Sequence, residues 1–119
     1  MSANRITVRL DFDGRRQLGH GKIRLLELID AHGSISSAAR EMKMSYRRAW
    51  LLADEVNRMF TQSVFETQLG GKGGGHARLT DFGQELVRLY RAIEADAESK
   101  FTGDMARLSE QLAEPVAKS

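Results

Sequence analysis

The chain has 119 residues, 41% of them hydrophobic and 29% charged, which fits one soluble domain with a real core and leaves no length for a second of similar size. It contains no cysteine, so disulfides and thiolate metal sites are excluded, and a cytoplasmic setting is expected. The net charge of +2 is unevenly spread: residues 1–80 carry 13 Lys/Arg against 8 Asp/Glu and residues 81–119 carry 5 against 8, so the front of the chain is the part suited to a polyanion.

Arg5 to Phe12 reads as a strand, with Ile6, Val8, Leu10 and Phe12 on one face, and Asp13-Gly14 breaks it. The segment has no long apolar run, so neither a signal peptide nor a membrane anchor is expected. Gly21 to His32 reads as a helix through Ile23, Leu26 and Ile29, widened by Leu25 and Leu28, with Gly33 as a left-handed C-cap. A helix capped by Ser34 or Ser36 and reaching about Met42 follows, then a second capped by Ser45 and reaching about Phe60, with Ala49, Leu52, Val56 and Met59 inward. Val64 to Gln68 and His76 to Leu79 read as two short strands around Gly70 to Gly75. Thr80 caps a long helix from Asp81 to about Thr102. Phe82, Leu86, Leu89, Tyr90, Ile93, Ala97 and Phe101 form a stripe along it. Gly103 interrupts, Met105, Leu108 and Leu112 form a short helical piece, and the tail frays. Residues 1–102 are thus one domain, and 103–119 an extension.

The link between the second and third helices is only about Lys43-Met44-Ser45, which forces the sharp crossing of a helix-turn-helix. Ala39 and Ala49 let the axes approach, and Met42, Met44 and Leu52 seal the corner. Glycine usually follows the first helix of such motifs. Here Lys43 stands there, and a left-handed Lys43 costs about 1 kcal/mol against glycine. The start of the second helix carries Ser45, Tyr46, Arg47 and Arg48. In a major groove an arginine there can bond guanine O6 and N7, while Ser45 and Tyr46 reach phosphates or base edges.

The glycine-rich run is not a P-loop, because Gly73 rather than Ser or Thr follows Lys72. It reads as a wing tip whose bare backbone approaches DNA while Lys72 supplies charge. Ser36, His76 and Arg78 complete the candidate DNA contacts. Trp50 is read as core or subunit packing rather than as a base-stacking residue. The stripe from Phe82 to Phe101, Tyr90 included, is read as a homodimer seam, since one small domain cannot cover so long a helix. His20, His32 and His76 are far apart and no nucleophile motif occurs, so no enzyme, metal or cofactor is expected.

Gly33-Ser34-Ile35-Ser36-Ser37-Ala38-Ala39, Ser45-Tyr46-Arg47-Arg48-Ala49-Trp50, Gly70-Gly71-Lys72-Gly73-Gly74-Gly75 and Leu79-Thr80-Asp81-Phe82-Gly83-Gln84 resemble the winged helix-turn-helix shared by LysR-type regulators and, more closely, the N-terminal half of ModE-type molybdate-responsive regulators. The resemblance covers roughly residues 5–102. It implies a mainly α fold with a small β component, a dimer held by the first strand, first helix and long last helix, and a recognition helix beginning at Ser45. Carried over by residue, Ser45, Tyr46, Arg47 and Arg48 are recognition candidates and Lys72 the wing contact. The function implied is a nucleoid-associated bacterial transcription regulator on a roughly palindromic operator of double-stranded DNA. The C-terminal molybdate-binding domains of that family have no counterpart in the 119 residues, which leaves molybdate or a partner protein open as effector. The alternative is a protein-interaction module on a winged-helix scaffold, whose binding would ignore salt.

Overall fold

A computed structural model describes residues 4–68 and 75–114. The elements in order are β1 (Arg9–Asp11), β2 (Gln17–Gly19), α1 (His20–His32), α2 (Ile35–Glu41), α3 (Tyr46–Met59), β3 (Phe65–Gln68), β4 (His76–Leu79), α4 (Asp81–Lys100) and α5 (Thr102–Ser109). The two sheets are antiparallel pairs, β1 with β2 and β3 with β4. This is a mainly α winged helix-turn-helix.

The N-terminal region differs from the single strand read from the sequence. Only Arg9–Asp11 is strand, and Asp13-Gly14 turns the chain into β2 rather than ending the element. Gly14 takes φ 82, and the Asp13 carboxylate accepts the N–H groups of Arg15 and Arg16 and the Arg16 Nε–H at 2.7 Å. Those bonds, the guanidinium first, hold Asp13 down to a pKa of about 2. The hairpin delivers Leu18, fully buried, to the core, while Phe12 stays 53% exposed with its ring edge-on to Phe60.

α1 is the central helix, packed on α2, α3, α4, β2 and β4. Its Ile23, Leu25, Leu26, Leu28 and Ile29 are buried, each aliphatic side chain contributing roughly 1.5–3 kcal/mol. Gly33 ends it at φ 73, its N–H bonded to Ile29 O. Ser34 caps α2 and Ser45 caps α3, each Oγ accepting an N–H three residues on. Ala38, Ala39, Ala49 and Ala53 are buried where the helices cross, and Met42, Met44 and Leu52 close over them half-buried. Lys43 is left-handed at φ 57, so the turn takes the usual geometry despite the side chain.

Two side chains far apart in sequence and one backbone bond anchor the wing. Asn57 Oδ1 accepts the N–H of Val64 at 2.7 Å and, more weakly, of Phe65. Asp30 Oδ1 accepts the N–H of Leu79, and Ala77 N donates to Gly33 O at 2.8 Å. At the wing's exit Thr80 caps α4 through the Gly83 N–H and donates its own N–H to Val64 O.

α4 corrects two expectations. Leu86 and Tyr90, read as part of a subunit seam, are buried in the protomer's own core: the Tyr90 ring is 1% exposed and its hydroxyl donates to Val8 O, tying the N-terminal segment to α4. The break near the end lies at Phe101 (φ −109, ψ 18), and Gly103 sits inside α5 rather than interrupting it. In the first turn of a helix a glycine's missing side chain costs little, and the Thr102 hydroxyl bonds back to Glu98 O across the junction. Beyond Tyr90 no described residue is buried.

Arg91 on α4 makes a two-bond fork to Glu27 of α1, at 2.8 and 3.0 Å, and pairs with Glu94. The Arg91 hydrogen bonds hold the Glu27 carboxyl below the usual carboxylate range. His20 stands 3.9 Å from Glu94, yet burial, with the Arg91 and Arg5 guanidiniums beside it, outweighs that carboxylate and pushes the imidazole below its ordinary value.

Candidate nucleic-acid interface

At about 100° per residue, the buried line of α3 through Ala49, Ala53 and Val56 leaves Arg47, Leu51, Asp54 and Arg58 on the opposite, outermost line. Tyr46 and Trp50 fall on the flank toward the wing, and Arg48 on the other flank, toward Glu55, which pairs with Lys22 of α1. Tyr46, Arg47 and Arg48 are all exposed, as the reading from sequence requires.

Ion pairing is common outside this surface, although Arg5, Arg15, Arg78, Lys100 and Arg107, scattered over the fold, make none with a described residue. Arg9, Arg16, Arg24, Arg58, Arg88 and Arg91 each face a carboxylate within 4.0 Å. On the helix-turn-helix, Arg40, Lys43, Arg47 and Arg48 are exposed and make no ion pair with a described residue. Glu41 is the single acid between Ile35 and Ala53. Four unneutralised cations on about two turns of chain form a local positive field available to an outside anion.

A cleft of about 140 Å³ runs between α3 and the wing, lined by Ser34, Ile35, Ser36, Tyr46, Trp50, Thr67, Gln68, Gly75, His76 and Ala77. It therefore brings together Ser36, Tyr46 and His76 of the sequence candidates, with Ser45, Arg47 and Arg48 on the adjoining helix. Arg78, exposed on the same strand as His76, shares with it a cleft of about 130 Å³ beside Gly33, Glu66 and Gln68, and also lines another with Asp30, Glu66 and Asp81. Lys72 and its neighbours Gly70 to Gly74 lie outside the described residues. Of the apolar stripe on α4, Leu89, Ile93 and Phe101 remain 49%, 46% and 43% exposed, Ala97 is half-buried, and Phe82 packs edge-on to Phe60.

Trp50, read from the sequence as core or subunit packing, is 39% exposed and lines the cleft, so it is not a core side chain. Leu51, Thr67 and Gln68 were not singled out for this surface from the sequence. Leu51, 50% exposed, follows Arg47 by four residues, and that spacing was the signal for it. Thr67 and Gln68 reach the cleft only through the fold.

The chain is 39% identical over 116 residues to the molybdenum transport protein ModE of Azotobacter vinelandii, covering 96% of this chain and 42% of that protein. The chain is ModE-like. To the DNA-binding transcriptional dual regulator ModE of Escherichia coli strain K12 it is 44% identical over 69 residues, 58% of this chain and 26% of the relative. To the molybdenum-pterin-binding protein MopA of Rhodobacter capsulatus it is 42% identical over 81 residues, 68% of this chain and 31% of that protein. The ModE-like chain thus spans less than half the length of these curated relatives. No protein-family model matches it. Among the described residues no helix is long and apolar enough to cross a membrane, and no cluster of metal-ligating side chains occurs.

Proposed function

We propose that this ModE-like chain is the DNA-binding and dimerisation part of a transcription regulator connected with molybdate, acting in the bacterial cytoplasm as a homodimer on a roughly palindromic operator. The observation that carries this reading is the set of unpaired cations at the turn and on the first turn of α3, beside a cleft walled by the wing. α3 enters the major groove, where Arg47 meets base edges and Arg48, Lys43 and Arg40 meet phosphates. Ser36, Ser45, Tyr46 and His76 hold the flanking backbone, and Lys72 and Arg78 belong to the wing side. The exposed side chains Leu89, Ile93 and Phe101 then face a second copy, because the described residues of the protomer leave them open, and α4, some 30 Å long at 20 residues, spans such an interface. A two-fold pair of this kind sets the reading helices about 34–36 Å apart.

Molybdate itself, an oxyanion, needs converging N–H, hydroxyl or cationic donors. A cleft of about 510 Å³ is lined by Asp30, Glu66 and Asp81 against Arg78, and three carboxylates repel such a ligand. This cleft does not fit molybdate, and the connection rests on the relatives' names.

The test is operator binding by Arg47→Ala and Arg48→Ala. Each variant weakens the selected operator by about 1–3 kcal/mol, and Arg47→Ala also relaxes base preference. Wild-type affinity in the double variant, or binding that ignores salt, removes the reading.

A further inference from the structure

The outer face of α3 is not uniformly polar. Leu51 lies on its outermost line between Arg47 and Asp54, and Tyr46, Arg47, Trp50 and Leu51 line one shallow hollow. The protomer's core takes Ala49, Ala53, Val56 and Met59 from this helix and uses neither the tip of Leu51 nor the outer edge of Trp50. Such an apolar surface left in water is unfavourable by about 25 cal/mol per Å², and an occupant that covers it recovers that free energy.

The rim of the hollow identifies the occupant. Arg47 forms one edge and Arg48 stands beside it, both without a carboxylate partner among the described residues. The nearest acid along the helix, Asp54, is neutralised by Arg58 at 2.8 Å. An apolar floor rimmed by cations suits an apolar group carried on a polyanion. On the major-groove edge of duplex DNA that group is the 5-methyl of thymine, which aliphatic and aromatic side chains contact directly.

We propose that Leu51, backed by the edge of Trp50, reads thymine through its 5-methyl group. This rests on the reading above that α3 enters the major groove, and it names what the apolar part of that helix recognises there. Arg47 and Leu51, one turn apart, then address neighbouring base pairs, one by hydrogen bonding and one by apolar contact.

The experiment starts from an operator selected out of random duplexes with the full chain. Each thymine is replaced in turn by deoxyuridine, which keeps every hydrogen-bonding group and lacks only the methyl, and affinity is read by fluorescence anisotropy. Burying one methyl against Leu51 predicts an affinity loss of about fourfold at one or two positions per half-site. Leu51→Ala, at a half-exposed site that tolerates truncation, binds thymine and uracil duplexes equally, and Trp50→Ala reduces the difference. Three results overturn the proposal: a selected site without thymine, a set of deyoxyuridine duplexes that all bind as tightly as the parent, or a methyl effect that persists unchanged in both variants. Tight, salt-dependent binding accompanied by any of these leaves the major-groove reading standing and removes only the thymine contact at Leu51. Absence of any DNA binding removes both.

Discussion

Gly83 is the position where one methyl group tests the packing that joins the wing to α4. A Cβ added there would stand 2.0 Å from the Val64 carbonyl oxygen, 3.0 Å from its carbonyl carbon and 3.3 Å from Leu79 Cβ. Ordinary contact begins at 3.4 Å, so roughly 1.4 Å must be opened against backbone rather than against the end of a flexible side chain. That backbone is fixed from several sides: Val64 N–H is held by Asn57, and its carbonyl accepts the Thr80 N–H at 3.0 Å and the Thr80 hydroxyl at 3.2 Å. Overpacking of this kind costs about 1–3 kcal/mol, each hydrogen bond loosened adds about 1, and the better helix propensity of alanine returns up to about 1. Gly83→Ala is therefore expected to destabilise by about 3 kcal/mol, a fall in Tm of about 12 °C for a domain of this size. Thermal unfolding followed by circular dichroism at fixed protein concentration measures it. Gly103→Ala is the control, because its Cβ meets nothing within 4 Å; it should raise Tm slightly. A Gly83→Ala protein as stable as wild type would refute the packing account of this junction.

Lys43→Gly relieves the left-handed backbone at φ 57 and should stabilise by about 1 kcal/mol, read as a rise in urea midpoint with unchanged slope; no rise counts against strain in the turn. Leu89→Asp places a charge on the exposed stripe and should give a folded monomer by sedimentation, whereas a persisting dimer points to another interface. His20 and Glu27 both have folded-state pKa values below their ordinary ones, so in each case the unfolded chain binds more protons and stability rises with pH. The His20 contribution is complete above its ordinary 6.5 and is lost as pH falls from there to the depressed value; that of Glu27 is present above its ordinary 4.5 and is lost as pH falls through its lowered value. Urea midpoints between about pH 4 and pH 8 should flatten in the upper part for His20→Gln while keeping the lower step; a His20→Gln profile that overlays wild type dismisses the role of that imidazole.

The helix-turn-helix was legible because its signals are local. Ser34, Ser45 and Gly33 cap their helices within four residues of the groups they satisfy, and the alanines announce close helix crossing directly. β2 was missed although Asp13-Gly14 is a strong hairpin signal, since a three-residue strand shows too little alternation to be read. The α4 stripe merged two faces: Leu86 and Tyr90 turn inward while Leu89 and Ile93 turn out, and periodicity alone does not tell a core neighbour from open surface. The anchoring roles of Asp30 and Asn57 depend on partners 49 and 7 residues away, which no spacing rule reveals. Of the two roles read for Trp50, core or subunit packing, the core one fails because the small alanines beside it already fill the crossing.

The bond from Ala77 to Gly33 fastens β4, beside its pairing with Thr67, to the corner that starts the helix-turn-helix. On the proposed reading, this bond limits how far the wing strands can shift against the helix-turn-helix when a duplex is bound. If α3 and the wing bind as proposed, misfit between their spacing and the width of a given groove falls largely on bending or twisting of the nucleic acid. Sequences that deform easily at the right step would be favoured even at base pairs that no side chain reaches.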